Sequence, residues 1–488
     1  MNSLFISAEA VPFAKVGGMA DVVGSLPKAL QGLKADARVM LPAYGFINHE
    51  KYGIEPLFSF DYKMYTGTAV VHVYHTIYEG VPYYFVGAWP YFGEETAIYT
   101  DWEWDVPRFI FFNQLVIGAM QEIGRRLDWF PDVVHVNDWH TGLVPFLIKQ
   151  MQGLGWARVA SLLSIHNLAY QGDRTGGYLW SMGIPERKNP ALTSRNLTDN
   201  ILAIAIAYSD VVTTVSPRYA QEILYPYMGN GLEELLRTRQ TDLFGVLNGI
   251  DTDIWNPATD SALVANYDAT TFRERRLENK RYLQQQAGLP QDDDAMLIGL
   301  VTRLVVQKGL DIAIPALREL LAGYPVQLVV LGAGDPEIEA SVARLSQDFG
   351  WKARAYLQYD AAVAQHIYAG CDLFLMPSHF EPCGMGQMIA MRYGALPLVR
   401  ETGGLADTVQ NYDDGSAEYG TGFVFNWQEV EAVLGTLKWA YDVYRNRRSA
   451  WERLQERGMS RDFSWALSAN QYIALYEKAI HKKRGLFI

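Results

Sequence analysis

The sequence predicts an α/β protein of two doubly wound domains, each built on a parallel sheet. Three observations predict it. The chain is 488 residues long, past the size at which a single hydrophobic core keeps growing. Short apolar runs alternate with helix-length segments, which is the rhythm of βαβ units. That rhythm occurs twice, once on each side of a cluster of turn-forming residues.

In the first half the strand-like runs are residues 4–6, 38–41, 133–136, 160–165 and 211–215. The second half repeats the pattern at 296–301, 326–331, 373–376 and 396–399. The break falls in the stretch from Asn248-Gly249-Ile250-Asp251 to Trp255-Asn256-Pro257, and Asp292-Asp293-Asp294 marks a loop before the first strand of the second domain. Residues 463–482 carry helical apolar spacing at Leu467, Tyr472, Leu475 and Tyr476, so a closing helix is expected there. The expected division is therefore 1–248, 249–462 and a terminal helix within 463–488.

Hydrophobic residues make up 49% and charged residues 20% of the chain, ordinary globular usage that predicts an ordered protein rather than a solvating tail. A net charge of -12 argues against a broad grip on nucleic acid or an anionic membrane, while leaving room for a local basic pocket. Cys371 and Cys383 are too few for a disulfide framework, and Met1-Asn2-Ser3 runs into an apolar stretch without a basic leader. A reducing, cytoplasm-like compartment is expected. No apolar stretch reaches the roughly 18 residues that suggest a membrane span.

In open α/β sheets ligands bind beyond the carboxyl ends of the strands, so the chemistry belongs in the loops after the apolar runs. The first such loop is Lys15-Val16-Gly17-Gly18-Met19-Ala20-Asp21, ahead of a helix-like stretch at 22–30. Adjacent glycines let backbone amides approach an anion at a helix start, and Lys15 adds positive charge, although a Gly-Gly pair by itself is usually just a turn. Next come Asn137-Asp138-Trp139-His140, where Asp138 or Asn137 equally suits helix capping, and His166-Asn167-Leu168-Ala169-Tyr170-Gln171-Gly172. No His-Glu-x-x-His arrangement and no Cys/His pairing at zinc spacing occurs, so no metal site is expected.

In the second half Arg303 ends a strand-like run and Lys308 follows five residues on. Two fixed cations at one strand end suit a diphosphate, on which negative charge grows as a glycosidic bond to it breaks. The densest cluster is Pro377-Ser378-His379-Phe380-Glu381-Pro382-Cys383-Gly384-Met385-Gly386-Gln387, followed by Thr402-Gly403-Gly404-Leu405. A carboxylate beside proline and glycines can be held rigidly against a sugar, and the amides of 384–387 are candidate phosphate donors. Two glycine turns in succession are hard to explain as packing. Gly332-Ala333-Gly334-Asp335 imitates a dinucleotide fingerprint, but Glu337 stands at its third glycine position, so no nicotinamide cofactor is expected.

Taken together, Lys15-x-Gly17-Gly18, Asp138-Trp139-His140, 166–172, Asn248-Gly249-Ile250-Asp251, Arg303 with Lys308, Glu381-Pro382-Cys383-Gly384 and Thr402-Gly403-Gly404-Leu405 resemble the glycogen and starch synthase family of retaining nucleotide-sugar glucosyltransferases, over nearly the whole chain. The resemblance implies the GT-B architecture: two Rossmann-like domains facing a deep cleft, with the glucan on the N-terminal side, the nucleotide sugar on the C-terminal side and the last helix returning to the first domain. It implies transfer of glucose from ADP-glucose to the non-reducing end of an α-1,4-glucan, with no cofactor, nucleic acid or membrane partner. By the same resemblance Arg303 and Lys308 stabilise the departing diphosphate, and Glu381 and His166 belong to the catalytic set. Lys15, Gly17, Gly18, Asp21, Asp138, Asn248, Cys383, Gly384, Met385 and Gly386 bind the donor, and Tyr359 stacks near the base. Retention is compatible with front-face attack or with two displacements. Val16 stands where many members carry Thr, Met19 where Leu is usual, His379 where Arg is common and Gly386 where Thr is frequent. Ile389 replaces the second glutamate of a broader transferase group, which argues against a sucrose-phosphate-synthase-like activity. The alternative reading is a non-catalytic glucan-binding or regulatory protein on the same fold.

Overall fold

A computed structural model describes residues 1–64, 67–413 and 419–485. The chain divides into two compact units, one comprising Met1–Gly249 with Trp465–Ile488, the other Ile250–Ser464.

The first unit is built on nine strands: β1 (Asn2–Ile6), β2 (Asp36–Pro42), β3 (Glu55–Met64), β4 (Gly67–Tyr78), β5 (Val81–Gly87), β6 (Val133–Asn137), β7 (Ala160–Ile165), β8 (Val211–Thr214) and β9 (Leu243–Gly245), in the order β3-β4-β5-β2-β1-β6-β7-β8-β9. From β5 to β9 the pairings are parallel. Here the expectation of a purely parallel sheet is corrected, because β3, β4 and β5 form an antiparallel meander. The physical reason is burial on one face only. Along β4 the inward residues Ala69, Val71 and Val73 alternate with exposed Thr68, Val70 and His72, whereas β1, β6 and β7 are buried on both faces and read as continuous apolar runs.

The second unit holds β10 (Met296–Val301), β11 (Val326–Leu331), β12 (Ala353–Tyr356), β13 (Leu373–Met376), β14 (Leu396–Arg400) and β15 (Phe423–Phe425), ordered β12-β11-β10-β13-β14-β15 and parallel throughout. This is the doubly wound arrangement, in which the chain winds away in opposite directions from β10 and β13. The first unit has the equivalent reversal between β1 and β6. Loops that follow these four strands therefore open onto a crevice in their own sheet and hold the Lys15, Asp138, Arg303 to Lys308 and Glu381 segments, whereas the 166–172 and Thr402 segments follow the neighbouring strands β7 and β14.

The terminal helix Trp465–Arg484 packs on the first unit. Tyr472 and Tyr476 are buried there; the Tyr476 hydroxyl meets Nδ1 of His135 at 2.7 Å, and Arg484 pairs with Asp132 at 2.6 Å. Nε2 of His135 meets the Ser164 hydroxyl at 2.7 Å, so both ring nitrogens of this buried imidazole are used, and burial holds its pKa well below the ordinary histidine value. Among the described residues no helix is long and apolar enough to cross a membrane.

Candidate active site

In the first unit the loop after β1 is organised by a residue the sequence motifs do not contain, Glu9. Its carboxylate is buried, and Oε2 accepts the backbone amides of Val16 at 2.6 Å and Gly17 at 2.8 Å. Oε1 accepts the Tyr99 hydroxyl at 2.5 Å, and burial together with this neighbouring carboxylate raises the Tyr99 pKa. The amide of Gly17 is thus committed to Glu9. Gly18 instead opens the helix Gly18–Gly32, where the amides of Gly18 and Met19 have no acceptor among the described residues and a helix dipole favours an anion. Lys15 pairs with Asp21 at 2.6 Å, so these two predicted residues come together and offset each other's charge. Glu9 carries no motif; the signal that could have found it is a lone carboxylate just past the first buried strand, at the point where the sheet reverses.

The loop after β6 supplies Asp138 with φ 53°, in the left-handed region that is uncommon outside glycine. Its Oδ1 accepts the amides of His166 at 2.7 Å and Asn167 at 3.4 Å, which locks the loop after β7. Asp138 is 6% exposed, and that burial pushes its carboxyl up to about 7 despite these two hydrogen bonds. His166 is pushed the other way, to about 4, again by burial, and is neutral at pH 7. Asn137 donates its Nδ2 to the Ile6 and His135 carbonyls, so its Oδ1 accepts Nε2–H of His166 at 2.9 Å. This leaves Nδ1 of His166 as an acceptor for a ligand hydroxyl. Gly172, at φ +61°, passes against the Trp139 ring so closely that a Cβ would lie 2.5 Å from it. Asn248 is buried, and its Oδ1 has no partner among the described residues, an orphaned acceptor fit for a ligand.

In the second unit the loops after β10 and β13 are welded together. Lys308, on the turn Val306–Lys308, meets Oε2 of Glu381 at 2.6 Å, and the Ser378 hydroxyl donates to the same oxygen at 3.0 Å. Around this pair the Gln307 side chain donates to the Phe380 carbonyl at 3.1 Å, and the His379 amide donates to the Gln307 carbonyl at 2.9 Å. The His379 ring lies 2.8 Å from Asp311, and Arg400 donates to the carbonyls of Ser378, at 2.9 Å, and His379. Gly309 is required here, since a Cβ would lie 2.0 Å from the Pro377 carbonyl oxygen. Arg303 stands apart: it is exposed and has no ion pair or side-chain hydrogen bond among the described residues. One cation is therefore compensated by a carboxylate, and one is uncompensated.

The glycines of Thr402-Gly403-Gly404 have a packing explanation, which corrects the sequence reading. Gly403 has φ +43°, and a Cβ on it would meet the Glu381 carbonyl at 2.0 Å; one on Gly404 would meet the Cys383 carbonyl at 2.2 Å. The Gly404 amide donates to the Glu381 carbonyl at 3.1 Å, so this segment is the floor beneath the Glu381 loop. Gly384, at φ +72°, turns the chain, Met385 caps the helix Gly386–Arg392, and Cys383 is buried with its carbonyl accepting Nε2 of Gln387 at 3.1 Å. The Met388 amide donates to the Met385 carbonyl at 3.0 Å, while the amides of Gly386 and Gln387 have no acceptor among the described residues. Tyr359 lies beyond β12 with its ring 78% exposed, unpacked by its own unit. Gly332 and Gly334 lie against the backbone at Thr302 and Leu304 and so shape the Arg303 turn. Among the described residues no cluster of three or more His, Cys, Asp or Glu side chains is arranged to hold a metal ion.

What the two units share is chemistry gathered where a doubly wound sheet reverses, with cations and a buried carboxylate in place of a dinucleotide fingerprint. That combination suits a transferase that moves a group off an anionic leaving group. Residues 2–238 match the starch synthase catalytic domain family, and residues 283–455 match the group 1 glycosyl transferases. A glycogen synthase of Streptococcus sanguinis is 41% identical over 486 residues, covering 98% of this chain and 100% of the relative. One of Geobacillus thermodenitrificans is 42% identical with both chains fully covered. The catalytic domain of starch synthase IV from Arabidopsis thaliana, solved bound to ADP and acarbose, superimposes with a TM-score of 0.89 at 34% identity, covering 98% of this chain and 99% of that one. A sucrose-phosphate synthase from Thermosynechococcus elongatus shares the fold, with a TM-score of 0.62 at 16% identity. The chain belongs to the glycogen and starch synthase family of glucosyltransferases.

Proposed function

We propose that the chain transfers glucose from ADP-glucose to the non-reducing end of an α-1,4-glucan, retaining the anomeric configuration and using no cofactor. The observation that carries this reading is the Lys308–Glu381 contact of 2.6 Å, on the same loop after β10 as the uncompensated Arg303, at the reversal point of the second sheet. ADP in the superimposable starch synthase supports the adenine nucleotide, and acarbose there supports a glucan acceptor. On this reading the second unit takes the nucleotide sugar and the first takes the glucan.

The bond from the anomeric carbon to the diphosphate breaks, a bond from that carbon to the acceptor oxygen forms, and the acceptor proton passes to the diphosphate oxygen that takes up the electron pair of the broken bond. Arg303 and Lys308 oppose the charge growing on the diphosphate, with Arg303 contributing a cation that no carboxylate neutralises beforehand. Glu381, oriented by Lys308 and Ser378, lies against the transferred sugar, and neutral His166 accepts a sugar hydroxyl through Nδ1. Lys15, Gly18 and Asp21 form an anion-tolerant helix start, Cys383 to Gly386 bring backbone donors, and Tyr359 offers an exposed ring to the base. Two free, buried cysteines support a reducing compartment such as the cytoplasm.

The test is incorporation of labelled glucose into glycogen from ADP-glucose and, separately, UDP-glucose, with a chelator and no added metal. Label released by an α-1,4-specific hydrolase, with ADP-glucose the better donor, is the expected result. No incorporation from either donor by folded protein that still binds glucan would establish the non-catalytic alternative.

A further inference from the structure

At the end of the second sheet away from the Arg303 and Glu381 loops lies a small cavity of about 80 Å³. Asp293, in the loop before β10, and Asp372, just before β13, line it together with the helices Phe272–Gln286 and Arg448–Met459. One water position needs roughly 10–15 Å³, so the space suits an ion of a handful of heavy atoms and is too small for a nucleotide or a sugar chain.

Four cations and three carboxylates line the cavity, and the pairing among them is uneven. Lys280 is fully engaged: it pairs with Asp372 at 2.8 Å and donates to the Ala295 carbonyl at 2.6 Å and the Asp293 carbonyl at 3.0 Å. The Asp293 carboxylate accepts Nε of Arg281, from outside the lining, at 2.8 Å. Arg273 meets Glu456 at 2.6 Å and shares Glu452 with Arg448 at the looser distances of 3.5 and 3.4 Å. Arg276 is different. It is 7% exposed, and it has no carboxylate partner among the described residues. It donates to the carbonyls of Cys371 at 2.5 Å and Tyr368 at 3.5 Å and faces the Tyr267 hydroxyl, while its Nε has no partner.

A buried charge without a counter-ion and a buried N–H without an acceptor are both costly, and an anion in the adjoining cavity removes both costs. Water answers only the second. A guanidinium matches the geometry of a phosphate, and the partly exposed Arg273 and Arg448, sharing one carboxylate, suit an ion that carries more than one negative charge, as phosphate does near pH 7.

We propose that this cavity binds a phosphate-class oxyanion, free or as the phosphate group of a small ester, with Arg276 as its buried partner and Arg448 as its outer one. Arg276 holds the Cys371 carbonyl at the amino end of β13, so the bound ion ties the helix Phe272–Gln286 to the strand that carries the Glu381 loop at its other end. An ion bound only by the folded protein stabilises it by mass action.

Thermal unfolding of the full chain, followed at constant ionic strength as inorganic phosphate replaces chloride, tests the site. The melting temperature is expected to rise with phosphate along a saturating curve. The midpoint of that curve should move at least about tenfold higher in Arg276→Lys, which keeps the charge but loses the Nε–H and the planar fork, and at least about threefold higher in Arg448→Ala. Arg448 is 54% exposed, so the second variant keeps the test open if the first does not fold. Arg303→Ala should saturate as the wild type does. Glycerol phosphate separates the two sources: a rise with inorganic phosphate alone assigns the free ion, and a rise with both assigns a group carried by an ester. No saturable rise with phosphate in the wild type overturns the proposal. So does a midpoint that moves less than about threefold in every cavity variant that folds, or a rise abolished in Arg303→Ala, which would put the ion at the other end of the sheet.

Discussion

Removing Lys308 and removing Arg303 should damage the protein in different ways. Both side chains face the same developing charge in the proposed reaction, so losing either is expected to cost on the order of 10² to 10³ in turnover, the effect of deleting one oxyanion donor. Their structural settings differ. Lys308 and Glu381 keep side-chain exposures of 15% and 8%, and the carboxylate has only Lys308 and the Ser378 hydroxyl for partners among the described residues. Lys308→Met therefore strands a nearly buried carboxylate. Breaking a fully buried pair costs about 3–5 kcal/mol, and the residual exposure here brings the expectation down to about 2–3 kcal/mol. At about 2–4 °C per kcal/mol for a unit of this size, the second unit should melt about 4–12 °C lower. Arg303 is exposed and unpaired, so Arg303→Ala should stay within about 0.5 kcal/mol of the wild type and melt within about 2 °C of it.

The double variant Lys308→Met/Glu381→Gln makes the reasoning refutable. A neutral glutamine keeps the Ser378 hydrogen bond without a stranded charge, so at least half of the lost melting temperature should return while turnover stays low. Differential scanning calorimetry reads the first quantity and initial rates of labelled glucose transfer read the second. Equal melting temperatures for Lys308→Met and the double variant would show that the carboxylate is not the source of the instability. Equal losses of stability in Arg303→Ala and Lys308→Met would refute the distinction between a compensated and an uncompensated cation. A fall in turnover below about threefold in either single variant would remove that residue from the chemistry.

Asp138, at about 7 in the folded protein against about 3.9 unfolded, contributes stability that is full below pH 4 and is lost as pH rises through 7. Asp138→Asn should therefore gain stability relative to the wild type between pH 5 and pH 8.5 in urea unfolding, and a difference independent of pH would contradict the buried carboxyl. His166, at about 4 folded against about 6.5 unfolded, has the opposite sign: its stability is present above pH 6.5 and disappears toward pH 4, a dependence that His166→Gln should flatten at the acid end. His379→Ala, which removes the 2.8 Å strap to Asp311, should lower turnover about tenfold at saturating donor while glucan KM stays within twofold, and His379→Arg should recover most of it; a change confined to KM would refute a positioning role. Gly403→Ala places a Cβ 2.0 Å from the Glu381 carbonyl at φ +43° and should cost more than about 2 kcal/mol in chemical unfolding, whereas Gly17→Ala, with open space and an extended φ of -130°, should cost less than about 1 kcal/mol.

The contrast between Gly403 and Gly17 shows what a sequence can and cannot convey about such a protein. Strands buried on both faces, such as β6 and β10, must be continuous apolar runs and are visible as such; β3 and β4 bury one face, and with Thr68, Val70 and His72 directed outward the alternation carries no run to find. Arg303, Lys308 and Glu381 could be located at strand ends because charge is rare beside buried apolar segments. Glu9 could not, because a carboxylate that spends itself on the amides of Val16 and Gly17 leaves no spacing pattern, only a fold in which β1 and β6 become neighbours. Glycine is more ambiguous still. Gly17-Gly18 and Gly403-Gly404 are the same pair of letters and each opens a helix, yet only at Gly403 and Gly404 does the structure need the missing side chain, to let that helix start lie on the Glu381 loop. Sequence shows that a side chain is missing; only the partner backbone, here the Glu381 and Cys383 carbonyls, shows why. The candidate site residues were thus more accessible than the scaffold that holds them, because chemistry needs particular side chains, whereas support can come from any backbone close enough to need a glycine.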